Sequence, residues 1–351
     1  MEKNLCCILD GTKNLRFEER PVPKPKSNQL LVRIHTVGIC GSDVHFWEEG
    51  RIGHFVVEAP LILGHECCGT VAGIGESVKG FKIGDRVAIE VGLGCRECEF
   101  CKKGKYNLCV ESTFYGTPPT DGALCRYVVH DSDFCFKLPD NVSWEDGSFL
   151  EPLSVAVYSC KRAGVTFGQK VLITGAGPIG LITLLTVKAA GISKVVVTDI
   201  IDCRLEMAQE LGADFTLNVK DLSPTESAEK IANMLGCKPD ITLECTGAGS
   251  CIETGLLVTA TKSGGLLMLT GLGKPRTELP VIEAALREID IRGVLRYENC
   301  YPTALEMVAS GAIKLDKLTR AHYKLEQAAE AFERFLKGDV VKVFIHCDDK
   351  P

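Results

Sequence analysis

Through the first 150 residues, apolar and polar positions alternate in short runs broken by glycine. Gln29–Val37 (QLLVRIHTV), Gly69–Gly75 and Gly84–Glu90 share a period of two and are rich in β-branched residues, which predicts strands. Such strands at regular spacing, with Gly/Asp turns between them, predict a small barrel-like β domain. Pro21-Val-Pro-Lys-Pro25 predicts an extended connector, because repeated proline excludes a helix. The period changes after about residue 150. Leu153–Ala163 predicts a helix, and Val171–Thr174 a strand followed by a helix to about Ala190. Val195–Asp199 precedes a helix at Cys203–Leu211, and Ile241–Cys245 precedes one near Ile252–Thr261. The strand Gly265–Thr270 closes the series. Strands alternating with helices make parallel βαβ units. Helices near 304–309 and 327–336 and a strand at Val340–His346 follow. The pattern predicts an α/β chain in which a β-rich domain, residues 1–154 and 294–351, is interrupted by a doubly wound Rossmann domain, residues 155–293.

A length of 351 residues agrees with two domains. The formal net charge is −6 and no long Lys/Arg run occurs, so nucleic acid and anionic membrane surfaces are not expected as main partners. No apolar run reaches the roughly 18–20 residues of a membrane span. The opening residues lack the apolar core of a secretory signal, so a cytoplasmic location is expected. Eighteen cysteines would suggest a disulfide framework in a short secreted chain. Here at least five have better use as zinc ligands, and most of the others are expected to be small, buried and reduced.

Cys95, Cys98 and Cys101 stand at two-residue gaps and Cys109 follows after seven more, a spacing that closes a tetrahedral thiolate cage around one Zn²⁺. Four ligands from one loop leave no open position, so this zinc is expected to be structural. Gly175-Ala-Gly177-Pro178-Ile179-Gly180 follows a predicted strand and opens a helix, the context a dinucleotide pyrophosphate needs. Asp199 ends the next strand, where a carboxylate accepts from the adenosine ribose and repels a 2′-phosphate; NAD is the expected cofactor. Arg204 lies where it could reach the adenine edge or simply face solvent. Upstream, Gly38-Ile-Cys40-Gly-Ser42-Asp-Val-His45 exposes a thiol and a hydroxyl at a glycine turn, and Gly64-His65-Glu66 adds an imidazole and a carboxylate. Glu151 in Leu150-Glu-Pro-Leu-Ser154 adds a second carboxylate. A catalytic zinc takes three protein ligands and keeps a fourth position open, and these candidates suffice for one.

Through GICGSDVH, GRIG, LGHE, GDRVAIE, GKYNLC, DNVSWEDGSFLEPLSV, GAGPIGL and RGVLRYEN the chain resembles the medium-chain, zinc-dependent alcohol and polyol dehydrogenases nearly end to end. The resemblance implies a GroES-like β domain around an inserted Rossmann domain, and a homotetramer. It implies two zinc ions per chain, with Cys40, His65 and Glu66 on the catalytic one and Glu151 holding its water or joining its shell. It further implies that Ser42 relays the proton, and that Phe46, Phe114, Thr117, Glu151, Arg296 and Tyr297 meet the substrate. Gly175, Gly177, Pro178, Ile179, Gly180, Asp199, Arg204, Thr270, Gly271, Leu272, Val294, Leu295 and Arg296 would meet NAD. The implied reaction is reversible oxidation of a polyol to a ketose, with sorbitol first and xylitol or L-iditol next. Alternatives are arabinitol, threonine or a simple secondary alcohol on the same scaffold, or a non-catalytic relative. A relict should have lost one of Cys40, Ser42, His65, Glu66 or Glu151, and all five are present. The chain departs from the family pattern at Phe46, where many members have tyrosine, at Glu298, at Val91 and at Tyr115-Gly116. These departures bear on substrate preference, not on the zinc ligands.

Overall fold

The computed structural model describes residues 3–259 and 265–348. It divides into two compact units: 1–151, 301–311 and 318–351 form one, 152–300 and 312–317 the other. These change over a few residues from the 154/155 and 293/294 division drawn on sequence.

The first unit is built on the strand Gln29–Gly38, whose alternating burial follows from its alternating sequence. It pairs antiparallel with Glu66–Ile74, Tyr127–Asp131 and Lys342–His346. Arg320–Lys324 runs parallel to Lys342–His346 at the sheet edge. Val32, Ile34, Val37, Val71, Ile89 and Phe332 are among the residues that fill its core. Two ladder positions matter for chemistry. Gly38 sits opposite Glu66 in one ladder and opposite Phe344 in the other, so the ends of three strands meet at the turn that carries Cys40.

The second unit holds a six-stranded, all-parallel sheet in the order Phe215–Asn218, Lys194–Asp199, Lys170–Thr174, Ile241–Glu244, Leu266–Leu269, Asp290–Gly293. This is the doubly wound order 3-2-1-4-5-6, which reverses direction beside Lys170–Thr174. The Gly175 turn leaves the sheet at that reversal.

Several elements differ from expectation. The strand series does not close at Thr270, because Asp290–Gly293 adds a sixth strand, and Phe215–Asn218 is a strand the pattern did not single out. The helix expected from Leu153 instead runs Trp144–Ala163. Ser143 Oγ accepts from the Asp146 N–H at 3.0 Å and caps the helix, and Pro152 lies inside it. The expected Ile252–Thr261 helix is Gly249–Val258, and residues 260 and 261 lie outside the described residues. Among the described residues no helix is long and apolar enough to cross a membrane.

Candidate metal centres and nucleotide turn

In the first unit the ligand atoms of Cys40, His65 and Glu66 all lie within 4.8 Å of one another. Cys40 caps the helix Gly41–Glu49, His65 precedes the strand Glu66–Ile74, and Glu66 opens it. His65 and Glu66 are buried, while Cys40 is half-buried. Gly38 is required by close approach. A Cβ there would stand 2.3 Å from Glu66 Oε2 and 2.8 Å from Lys342 Cε.

Two residues that the sequence pattern left without a role organise this set. Asp43 is fully buried; its carboxylate accepts from the Cys40 N–H at 3.0 Å and the Gly64 N–H at 2.9 Å, and lies 3.3 Å from His65 Nδ1. A carboxylate on Nδ1 fixes the ring and leaves Nε2 for a metal. Burial disfavours the charge of Asp43, yet His65 and the two N–H groups outweigh it and hold the carboxyl below its usual range. Burial likewise disfavours a proton on His65, but Asp43 and Cys40 outweigh burial and hold that proton well above the usual range. Lys342, also buried, forms an ion pair with Glu66 and stands 5.6 Å from the Phe149 ring centroid. Asp43 had a signal, a carboxylate three residues after a helix-capping position. Lys342 had none, since it interrupts an apolar strand.

The donor set fits zinc on this geometry. Three side chains of thiolate, imidazole and carboxylate type converge in a buried place where anions need a cation. Glu151 is buried on the helix Trp144–Ala163 and is not one of the three convergent groups. Ser42 is half-buried in the first turn of its helix. Phe46 belongs to the hydrophobic core; Phe114 packs against His65 with ring centroids 5.5 Å apart, and Thr117 is half-buried.

The second cluster is Cys95, Cys98, Cys101 and Cys109, again with all ligand atoms within 4.8 Å. Backbone N–H groups already point at sulfur: Cys95 to Cys109 at 3.4 Å, Cys98 to Cys95 at 3.3 Å, Cys101 to Cys98 at 3.5 Å. The N–H groups of Cys98 and Glu97 pull Cys95 down to about 7, whereas burial and then three neighbouring thiols push Cys101 up to about 12. Four thiolates this close ionise together only around a dication, so these residues fit a structural zinc. Gly94 makes room, because a Cβ there would lie 2.7 Å from Cys101 Sγ.

In the second unit Gly175 adopts φ +92°, and a Cβ on Gly180 would lie 1.8 Å from the Gly175 carbonyl oxygen; both positions demand glycine. Gly177 caps the helix Pro178–Ala189, and Ile179 is half-buried in its first turn. Asp199 reaches this turn: Oδ2 accepts from the Ala176 N–H at 2.7 Å, and Oδ1 from the N–H groups of Ile200 and Ile201 at 2.8 and 3.0 Å. The carboxylate therefore shapes the turn. Arg204 is half-buried on the helix Asp202–Glu210. Thr270 and Gly271 donate to the Glu244 carbonyl at 2.8 and 2.9 Å, and Leu272 is exposed. Val294 is half-buried, Leu295 exposed, Arg296 half-buried at φ 51°, and Tyr297 buried; all four belong to the second unit.

Comparison with known proteins agrees with both units. The alcohol dehydrogenase GroES-like domain matches residues 26–140, and the zinc-binding dehydrogenase family matches residues 178–310. Sorbitol dehydrogenase of Homo sapiens is 52% identical over 345 residues, 98% of this chain and 96% of that protein. A solved alcohol dehydrogenase of Escherichia coli CFT073, complexed with cofactor NADH, has a TM-score of 0.89 at 26% identity, covering 98% of this chain and 100% of that one. A zinc-binding dehydrogenase of Sinorhizobium meliloti bound to NADP gives 0.90 at 26% identity, covering 99% and 100%. Identity above one half across almost the whole of both chains makes this protein a member of the sorbitol dehydrogenase family of zinc- and NAD-dependent medium-chain dehydrogenases.

Proposed function

We propose that the protein oxidises a secondary hydroxyl of a polyol to the ketose with NAD, reversibly, and that sorbitol is the preferred substrate, with xylitol and L-iditol also accepted. The observation that carries this reading is the convergence of Cys40, His65 and Glu66 in a chain 52% identical to a sorbitol dehydrogenase. When bound, zinc stabilises the negative charge that develops on the substrate oxygen, and NAD accepts the hydride. Cys40, His65 and Glu66 hold the metal, and Asp43 keeps His65 in the ligating tautomer. Glu151 orients water or substrate beside it, and Ser42 takes the hydroxyl proton outward. Arg296 and Tyr297 return hydrogen bonds to further substrate hydroxyls, and Phe46, Phe114 and Thr117 line the pocket. The glycine turn 175–180, Asp199, Arg204, the 270–272 segment and 294–296 bind the cofactor. The Asp199 carboxylate would repel a 2′-phosphate, which supports NAD over NADP.

The reading includes a homotetramer and no nucleic-acid or membrane partner. Support for assembly comes from the exposed edge strand Asp290–Gly293 and from the exposed apolar side chains Val281, Ile282 and Leu286 on the helix that precedes it in sequence. It also includes a cytoplasmic location, where metal-holding thiols are kept reduced. Turnover of sorbitol, xylitol, ribitol, L-arabinitol and L-threonine with NAD and with NADP tests the assignment. Equal or better turnover of L-threonine or of short monoalcohols would overturn the polyol reading.

A further inference from the structure

Three of the seven histidines of the chain, His35, His322 and His346, lie together in the first unit, in a group distinct from both cysteine-containing clusters. His346 lies directly across from Thr36 in one ladder, and His322 is its diagonal neighbour in the other, opposite Phe344. Glu145, in the first turn of the helix Trp144–Ala163, completes a triad whose ligand atoms lie within 4.8 Å of one another. From this geometry we propose a third metal site, for a divalent transition ion of the zinc type, held by His322 Nδ1, His346 Nε2 and a Glu145 carboxylate oxygen.

The hydrogen bonds around the triad leave three acceptors around one proton. His346 Nδ1 stands 3.2 Å from the Thr36 hydroxyl, which stands 2.8 Å from His35 Nδ1. Of the two relays possible through Thr36, one puts a hydrogen between His322 Nδ1 and the Glu145 carboxylate. Thr36 donates to His35 and accepts from the His346 Nδ1–H, which leaves His346 Nε2 with a bare lone pair. His322 then carries its hydrogen on Nδ1, aimed at His346 Nε2 at 3.1 Å with Glu145 Oε1 at 3.5 Å. The opposite tautomer would set a bare nitrogen against the carboxylate. A cation replaces that single hydrogen. Two M–N bonds and one M–O bond form, the Nδ1 proton leaves to solvent, and Nε2 of the half-exposed His322 takes one up. No electron is transferred, and water completes the shell.

Distances and chemistry agree with this class of ion. In a tetrahedral zinc shell with bonds near 2.0–2.1 Å, ligand atoms stand roughly 3.3 Å apart, between the 3.1 and 3.5 Å observed. Two imidazoles and a carboxylate favour zinc, cobalt or copper over calcium and magnesium. The Thr36–His346 bond and the Arg320 ion pair on the other Glu145 oxygen are the outer contacts that orient such ligands. The two rings lie within 7° of parallel with their nitrogens head-on, so His322 must tilt for both lone pairs to meet one ion. Its side chain is 45% exposed on the edge strand, which gives it room.

The test titrates the purified enzyme, still holding the zinc it retains through dialysis, with ZnCl₂ and separately with CoCl₂. One ion per chain beyond the retained ones should bind, and its affinity should fall at least about tenfold in His322→Gln and His346→Gln. Added zinc should raise Tm of the unaltered protein and leave Tm of the variants unchanged. An equal Tm without added zinc shows that each variant is folded; if His346→Gln is not, the half-exposed His322→Gln carries the comparison. No additional ion, or an additional ion bound equally by His322→Gln, overturns the proposal. Neither result touches the catalytic assignment.

Discussion

Replacing Asp43 with asparagine should strip the catalytic metal while leaving the four-cysteine site filled. Asp43 accepts two backbone N–H bonds, at 2.9 and 3.0 Å, and holds His65 Nδ1 at 3.3 Å. Asparagine offers one oxygen, so either Cys40 or Gly64 must face an amide N–H. That loses one charge-assisted hydrogen bond, about 1.5–3 kcal/mol. Removing the outer partner of a metal-bound histidine costs roughly 10–100-fold in metal affinity, or about 1.4–2.7 kcal/mol. Charge acts in the same direction. With the dication bound and His65 neutral as its ligand, the Cys40 thiolate, Asp43 and Glu66 are three anions against one further cation, Lys342, so the dication cancels the two negative charges left over. In the Asp43→Asn variant only one is left over, so the attraction weakens further. The assay dialyses both proteins against graded chelator and counts zinc per chain. The variant should drop from two ions towards one at a chelator strength that leaves the unaltered protein at two. Activity should fall with that ion, while the KM for NAD, whose proposed contacts belong to the other unit, should hold. Equal zinc retention by the two proteins would refute the role given to Asp43.

Asp199→Asn should raise the KM for NAD and improve relative use of NADP, read from steady-state kinetics; Asp199→Ala should also lower Tm, because three backbone N–H groups lose their acceptor. Glu90, raised by burial from about 4.5 to about 7, binds a proton in the folded state that the unfolded chain has released between those values. Stability should therefore fall as pH rises through that window, by about 3 kcal/mol in total, and Glu90→Gln, which can still accept from Tyr106, should flatten the fall in denaturant titrations at pH 5 and 8. Arg296→Ala should erase most of the kcat/KM margin of sorbitol over 2-propanol with zinc content unchanged, since each hydroxyl left unpaired costs about 1–3 kcal/mol.

Sequence period revealed the strands that have one buried face or two. Gln29–Gly38 alternates and was legible, and the apolar runs of the parallel sheet were legible at Lys170–Thr174, Lys194–Asp199, Ile241–Glu244 and Leu266–Leu269. Asp290–Gly293 was not, because all four residues are exposed and an edge strand with no buried face leaves no period to read. The helix start at Trp144 was missed for a different reason. Pro152 removes one backbone donor but does not end this helix, whose cap, Ser143, lies two turns earlier and far from the apolar run that gave the expected start at Leu153.

Metal-ligand candidates were legible because thiols, imidazoles and carboxylates at close spacing are rare by chance. The groups that orient them were not, because their partners are far away in sequence. Lys342 meets Glu66 only because the strand Lys342–His346 returns beside Gln29–Gly38, and no spacing in the sequence encodes that return. The same ladder brings His346 to Thr36, so the proposed third site was as hidden as the ion pair. Gly38 belongs to both kinds of information. Its place before Cys40 is local, but its need to be glycine comes from Glu66 and Lys342 on the two flanking strands. Any side chain at 38 must push the carboxylate or the ammonium away. The first damage from such a change would therefore fall on the buried charge balance around the metal, before it reached the hydrophobic core.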